Sequence, residues 1–313
     1  MLVICTHGAL FPPLEAGCPL SNLEPVGVIG TGLFGTALAE RLLADGFPIV
    51  VFNRTRSKAE PLLARGAKWS NNPLADCRRV IFSLFTTEQV AEVLDQMNHR
   101  PMGGQIVLDT STSDPQHTIA LGTRLAKRGV RYLEAPFSGS SEQTRNREST
   151  ALVAGDSAVF EACHDLWNCL AAKTFYVGAW GNASKMKLVT NLVLGLNRAV
   201  LAEGLVFAEA AGLSMNDALQ MLLNSPAYSR TMDAKGPKMV QGEFTPQARL
   251  AQHIKDVRLM LEEAARGGAS LPFSAVHLEL LEQADAAGLG ELDNSAIIRV
   301  IQDPKLRAML SQT

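Results

Sequence analysis

Residues Asn182–Ala211 read NASKMKLVTNLVLGLNRAVLAEGLVFAEAA, about thirty residues rich in Leu, Ala, Val and Met and free of proline. A typical globular helix has only ~11–12 residues. Gly178 and Gly181 precede the stretch and Gly212 follows it, which suits a helix start and stop. Its apolar character predicts burial along most of its length. Yet Lys185, Lys187, Asn191, Asn197, Arg198, Glu203 and Glu209 interrupt it, so it does not read as a membrane span. Lys187 and Asn191 stand four apart and share one face. A buried amine beside a buried amide costs free energy unless both are partnered. The alternative is that Lys187 lies at a wet helix end.

At 313 residues the chain exceeds a usual single core, so two domains are expected. A formal net charge of −2 argues against a nucleic-acid surface built on bulk basicity. The five cysteines (Cys5, Cys18, Cys77, Cys163, Cys169) have no metal-type spacing. They read as free thiols in a reducing, cytoplasmic setting, with no metal site. The apolar start lacks a basic n-region and carries His7, a poor signal peptide.

Residues 1–24 show no clear periodic element and read as an irregular extension. Residues 25–181 alternate strands and helices. Val26–Ile29 is a short apolar strand, followed by Gly30, Thr31, Gly32, Leu33, Phe34, Gly35 and a helical run to Asp45. This is G-x-G-x-x-G between a strand and a helix, where the motif carries meaning. Gly30 permits the turn, Gly32 lets a pyrophosphate approach the backbone, and Gly35 lets helix and strand pack. The unpaired N–H groups of the helix start attract the phosphates. The next strand, Ile49–Phe52, ends at Asn53, Arg54, Thr55 and Arg56. An NAD site usually places an acid there for the ribose hydroxyl. A neutral Asn followed by cations points to NADP, with Arg54 and the Thr55 hydroxyl on the 2′-phosphate. The plainer reading of Arg54 and Arg56 is a solvated loop.

Strands follow at Val80–Leu84, Ile106–Asp109, Val130–Ala135, Ala151–Gly155 and Thr174–Val177. Helices are expected at Thr87–Met97, up to Lys127 after Pro115, and at Ser157–Leu170. The alternation predicts an α/β, Rossmann-type doubly wound parallel sheet. Ligands sit at the carboxyl ends of such strands, where Phe85, Ser111, Thr112 and Pro136–Gly139 fall. Ser111 and Thr112 are equally read as helix N-caps. Residues 182–211 form the interdomain helix, and 212–313 read as all helical, with segments at Ser214–Leu222, Tyr228–Val240, Pro246–Arg266, Pro272–Ala286 and Ser295–Ile301.

Three motifs in order resemble the β-hydroxyacid dehydrogenase family, which includes 3-hydroxyisobutyrate dehydrogenase, glyoxylate/succinic semialdehyde reductase and, more remotely, 6-phosphogluconate dehydrogenase. The first is Gly30–Gly35 with Asn53, Arg54 and Thr55. The second is Glu134, Ala135, Pro136, Phe137, Ser138, Gly139, Ser140, similar to the family's D-A-P-V-S-G-G. The third runs from Gly178 and Gly181 through Lys187 to Asn191, similar to G-x-x-G-x-G-x-x-x-K-x-x-x-N. Lys255–Asp256 and Leu292–Ala296 resemble two further family signatures. The likeness covers about Pro25 to the C-terminus.

The resemblance implies hydride transfer between NADP (NAD as the alternative) and the hydroxyl or carbonyl carbon of a small, anionic hydroxy acid or semialdehyde. It makes Lys187 the general acid and base, with Asn191 orienting substrate or lysine. Burial and the positive charge of an oxidised nicotinamide both disfavour the ammonium. Ser138 and the Gly139 N–H would hold the substrate carboxylate, with Ser140 and Ser111 nearby. Leu33, Phe34, Phe85, Thr112 and Lys255 would line the cofactor. The family implies a homodimer or homotetramer, with no nucleic-acid or membrane partner. The departures are Glu134 for Asp, Ser140 and Ala183 for Gly, Phe85 where Pro is frequent, and a polar stretch from Ser141 to Arg147. All fall around the substrate, where Gln143, Arg145 and Arg147 are candidates for reading a second anionic group or form a surface loop. Met221, Tyr228 and Met232 are either site or core. Two rival readings share the fold: an imine reductase, whose relatives typically lack the lysine, and a catalytically silent NADP-binding protein.

Overall fold

The computed structural model describes residues 3–6 (backbone only), 23–97 and 104–303. The chain divides into two compact units, Met1–Lys187 and Leu188–Thr313. The division falls inside one helix, α9 (Asn182–Ala210).

The first unit is built on strands β1 (Val3–Thr6), β2 (Val26–Ile29), β3 (Ile49–Phe52), β4 (Lys68–Trp69), β5 (Arg79–Phe82), β6 (Ile106–Asp109), β7 (Arg131–Glu134), β8 (Phe137–Ser138), β9 (Thr150–Gly155) and β10 (Lys173–Tyr176). They join in one sheet, ordered β1-β10-β9-β7-β6-β5-β2-β3-β4, with β8 paired to β9. The stretch from β4 to β7 is parallel throughout. Its helices include α1 (Leu33–Ala44), α2 (Glu60–Leu63), α3 (Pro73–Asp76), α4 (Thr87–Gln96), α5 (Pro115–Ala126), α6 (Ser141–Arg145), α7 (Ser157–Glu161) and α8 (His164–Leu170). Successive strand residues feed opposite faces, as the period of two requires. Val26, Val28, Ile49, Val51, Ile81, Ile106 and Leu108 lie in one core, and Ile29, Val50, Val80, Phe82 and Val107 in another. Burial on both faces explains why these strands read as continuous apolar runs. The strand order reverses at β2, with β3 on one side and β5 on the other. The carboxyl ends of β2 and β5 therefore frame the switch-point crevice.

Several expectations need correction. Val3–Thr6 is a strand antiparallel to β10, although residues 1–24 carry no periodic signal; residues 7–22 lie outside the described residues. The sheet is parallel only in part, since β9 runs antiparallel to β7 and β8. The helix expected over Ser157–Leu170 is two, because the backbone leaves helical geometry at Cys163 (φ −105°, ψ 17°).

The second unit holds α10 (Met215–Leu223), α11 (Arg230–Gln241), α12 (Leu250–Arg266), α13 (Pro272–Ala284) and α14 (Ile298–Gln302). Pro246 lies in the loop before α12 and does not start it. Beyond α13 a π-turn carries the chain over Asp285–Leu289, and a short 3-10 turn, Asn294–Ile297, precedes α14. Leu188, Leu201, Ala202 and Leu205 of α9 enter this unit's core beside Leu219, Ile254, Val257, Met260 and Leu281. Met232 is core as well, whereas Met221 and Tyr228 are exposed.

Candidate active site

The glycine loop links β2 to α1. The Gly30 N–H donates to the Phe52 carbonyl (2.9 Å). A Cβ on Gly35 would lie 1.9 Å from the Gly30 carbonyl oxygen, so no other residue permits α1 to start so close to the strand. Gly32 caps α1 without any side-chain cap bond, leaving first-turn N–H groups available. Four other unit-one helices are capped by side chains: Thr86, Asp114, Ser140 and Asp156. A Cβ added at Gly32 would meet nothing within 4 Å, so open space lies over the uncapped turn. Thr31 is buried, and its hydroxyl has no hydrogen-bond partner among the described residues. Open space, free donors and an orphan hydroxyl fit a pyrophosphate.

Asn53 ties the first two loops together. Its Oδ1 accepts the Thr31 N–H (3.0 Å) and its amide donates to the Thr55 carbonyl (2.8 Å). The side chain of Arg54 is exposed and pairs with no carboxylate among the described residues. Arg56 is engaged instead, with its guanidinium 5.0 Å from the Trp69 ring centroid. Leu33 and Phe85 expose 40% and 44% of their surface, apolar side chains at the open ends of α1 and β5.

Ser111 and Thr112 are not caps, since α5 begins at Pro115 and Asp114 caps it. Ser111 is buried, its N–H donates to Asp109 (2.9 Å), and its hydroxyl lacks a partner among the described residues. Asp109 also accepts hydrogen bonds from the Thr87 and Tyr132 hydroxyls. Burial and the charge of Asp109 push the Tyr132 phenol well above its ordinary range.

Ser138 ends β8 half-buried, and Gly139 is exposed at φ +150°, a region that side-chain-bearing residues rarely adopt. Ser140 opens α6 in a capping box. Its hydroxyl accepts the Gln143 N–H, and the Gln143 side chain accepts the Ser140 N–H. Arg145 pairs with Glu40. Gln143 and Arg145 thus have structural partners, and Arg147 sits at φ 59° just beyond α6.

Lys187 lies early in α9 and is 8% exposed. The start of α9 is held from β7. Glu134, fully buried, accepts the Gly181 N–H at 2.7 Å with one oxygen and the Ser184 N–H with the other. Burial pushes its carboxyl up, against the lowering effect of hydrogen bonds from Ser184 and Gly181. The Trp180 indole donates to the Tyr132 carbonyl (3.0 Å). In the second unit the Asn191 amide donates to Asp256 (2.8 Å), and Lys255 lies 3.4 Å from the other Asp256 oxygen. Asp256 therefore fixes which way the Asn191 amide points, leaving its carbonyl oxygen to accept. Asp293 is fully buried and grips Lys235 with both oxygens at 2.9 Å, with further donors from Gln247 and Ser295. Burial opposes its ionisation, but Lys235 and these donors outweigh it and hold the carboxyl below the usual range. The segment Leu292–Ala296 is thus a structural hub. The roles of Glu134 and Asp256 as tethers have no local signal, since their partners are 47 and 65 residues away.

A dinucleotide fold with this loop, followed by a helical unit, defines a nicotinamide-dependent oxidoreductase class. Residues 25–178 match the NAD-binding domain of 6-phosphogluconate dehydrogenase. Residues 181–301 match the domain described as NAD-binding of NADP-dependent 3-hydroxyisobutyrate dehydrogenase. Glyoxylate/succinic semialdehyde reductase 1 of Arabidopsis thaliana is 32% identical over 88% of this chain and 98% of its own. A structure titled Psf3 in complex with NADP+ and 2-OPP superposes with a TM-score of 0.80 at 27% identity, covering 88% of this chain and 99% of that one. The Salmonella typhimurium 3-hydroxyisobutyrate dehydrogenase structure shares the fold, with a TM-score of 0.82 at 23% identity over 88% of this chain and 99% of that one. The chain belongs to the β-hydroxyacid dehydrogenase family.

Proposed function

We propose that this protein is an NADP-dependent reductase of small anionic semialdehydes or 2-oxo acids, acting reversibly on the corresponding hydroxy acids, with Lys187 as its proton-transfer group. The observation that carries the reading is a buried lysine one turn before Asn191, whose amide Asp256 already orients.

The glycine loop holds the cofactor's pyrophosphate, and Arg54 with Thr55 takes the 2′-phosphate by charge-assisted bonds. Leu33, Phe34, Phe85 and Thr112 would line the bound cofactor. When bound, the nicotinamide supplies the hydride chemistry. Ser138 and the Gly139 N–H bind the substrate carboxylate, with Ser111 and Ser140 offering hydroxyls beside them. Lys187 as ammonium gives a proton to the oxygen of the carbonyl being reduced, and as amine takes it back in oxidation. Asn191 presents its carbonyl oxygen as an acceptor that holds the lysine or the substrate hydroxyl in line. The substrate is a small carboxylate, and neither nucleic acid nor membrane enters the reaction. The protein works in the cytoplasm.

The test is NADPH consumption with glyoxylate, succinic semialdehyde, tartronate semialdehyde, methylmalonate semialdehyde and a cyclic imine. Turnover of one of the carboxylates is expected. Activity on the imine alone would make the protein an imine reductase, and none at all a silent NADP binder.

A further inference from the structure

Glu134 is the last residue of β7, in register beside Asp109 of β6. From there the chain passes through Ala135 and Pro136 straight into Ser138 and Gly139. Its two carboxylate oxygens take the backbone N–H groups of Gly181 and Ser184, so they span the opening turn of α9. A carboxylate is favoured at a helix N-terminus by the dipole and by the unpaired donors. Here the cap comes from a strand 47 residues earlier, not from the residue preceding the helix. Lys187 follows Ser184 by one turn. Trp180 adds a second anchor, since its ring fills the space beside Gly122, where an added Cβ would lie 2.6 Å from it.

We propose that Glu134 is a positioning residue for the reaction: its carboxylate locks the lysine-bearing turn of α9 to the strand end that continues into the carboxylate-binding loop, so that Lys187 and Ser138 keep a fixed separation. The inference rests on the reading of Lys187 as the proton-transfer group. The length of the side chain matters. An aspartate is shorter by about one C–C bond, ~1.5 Å, so from the same backbone it would have that much further to reach to the two N–H groups. Glutamine keeps the length but offers one acceptor, turning its NH2 toward the second N–H. Trp180 still anchors the helix start in either variant.

The experiment is a double-mutant cycle on kcat with Glu134→Gln, Lys187→Ala and the pair together, with NADPH affinity measured for each. Glu134→Gln is expected to lower kcat about ten- to a hundredfold, the scale of a lost hydrogen bond to a charged group, with NADPH affinity retained. If Glu134 acts through Lys187, adding Glu134→Gln to Lys187→Ala costs nothing further. A wild-type kcat in Glu134→Gln, or a loss that adds in full to that of Lys187→Ala, overturns the proposal. Wild-type turnover in Lys187→Ala alone would instead remove the lysine reading beneath it. Should Glu134→Gln fail to fold, Glu134→Asp takes its place in the cycle: a kcat loss that vanishes in the Lys187→Ala background supports the positioning role, and a loss that persists there in full overturns it.

Discussion

On the NADP reading proposed above, cofactor choice would turn on Arg54. It stands exposed at the end of β3, while Asn53 is occupied in bracing the loop and Arg56 lies over Trp69. Arg54→Ala is expected to weaken NADPH about tenfold or more, the scale of a charge-assisted contact, and to leave NADH nearly unaffected. Titration of both cofactors checks this, and equal losses would end the 2′-phosphate assignment. Single residues were legible where their meaning is local. The glycines sit at fixed spacing between a strand and a helix, and Lys187 and Asn191 share a helix face. Glu134 and Asp256 were visible only as motif letters, because what they hold lies far along the chain.

At the scale of elements, the long helix α9 was plain from its apolar run, and β2, β3 and β6 from theirs. The break between α7 and α8 was not, because Phe160, Leu166, Trp167 and Leu170 stay buried across it and the apolar pattern never lapses. Helix α6 had a signal that polarity masked: Ser140 and Gln143 form the S-x-x-Q capping box. Helix α9 also carries an uncovered face. Met186, Val189, Val193, Val200 and Phe207 recur on one side of it, with Val200 64% and Phe207 73% exposed. By length and composition alone α9 could cross a membrane, but its Leu201, Ala202 and Leu205 lie in the helical core. The homodimer or homotetramer that the family resemblance implies is tested first at such a face, where apolar surface recurs along one helix. Phe207→Glu is expected to shift the protein to monomer in sedimentation experiments. A wild-type protein that is already monomeric at micromolar concentration would refute that assembly.

For the whole molecule, stability should report the buried His277. Burial and the neighbouring Arg198 push its imidazole down to about 4. Between about pH 6.5 and 4 the unfolded chain binds a proton that the folded chain refuses. Stability is therefore lost as pH falls through that window, by about 3 kcal/mol in total for a shift of this size. His277→Gln is expected to flatten that part of the denaturation profile, and an unchanged slope would show that other groups set it. The two-part organisation was legible from length and from the change in pattern after the long helix. Strand β9 was read from its apolar run, but its antiparallel direction and the short β8 were not, because pairing direction leaves no trace in composition. The central claim concerns one amine, and it is tested most directly by kcat of Lys187→Ala at saturating NADPH with a turned-over semialdehyde. A fall of about 10²–10⁴ is expected, the scale of a lost general acid; a kcat close to that of the wild type would contradict the account.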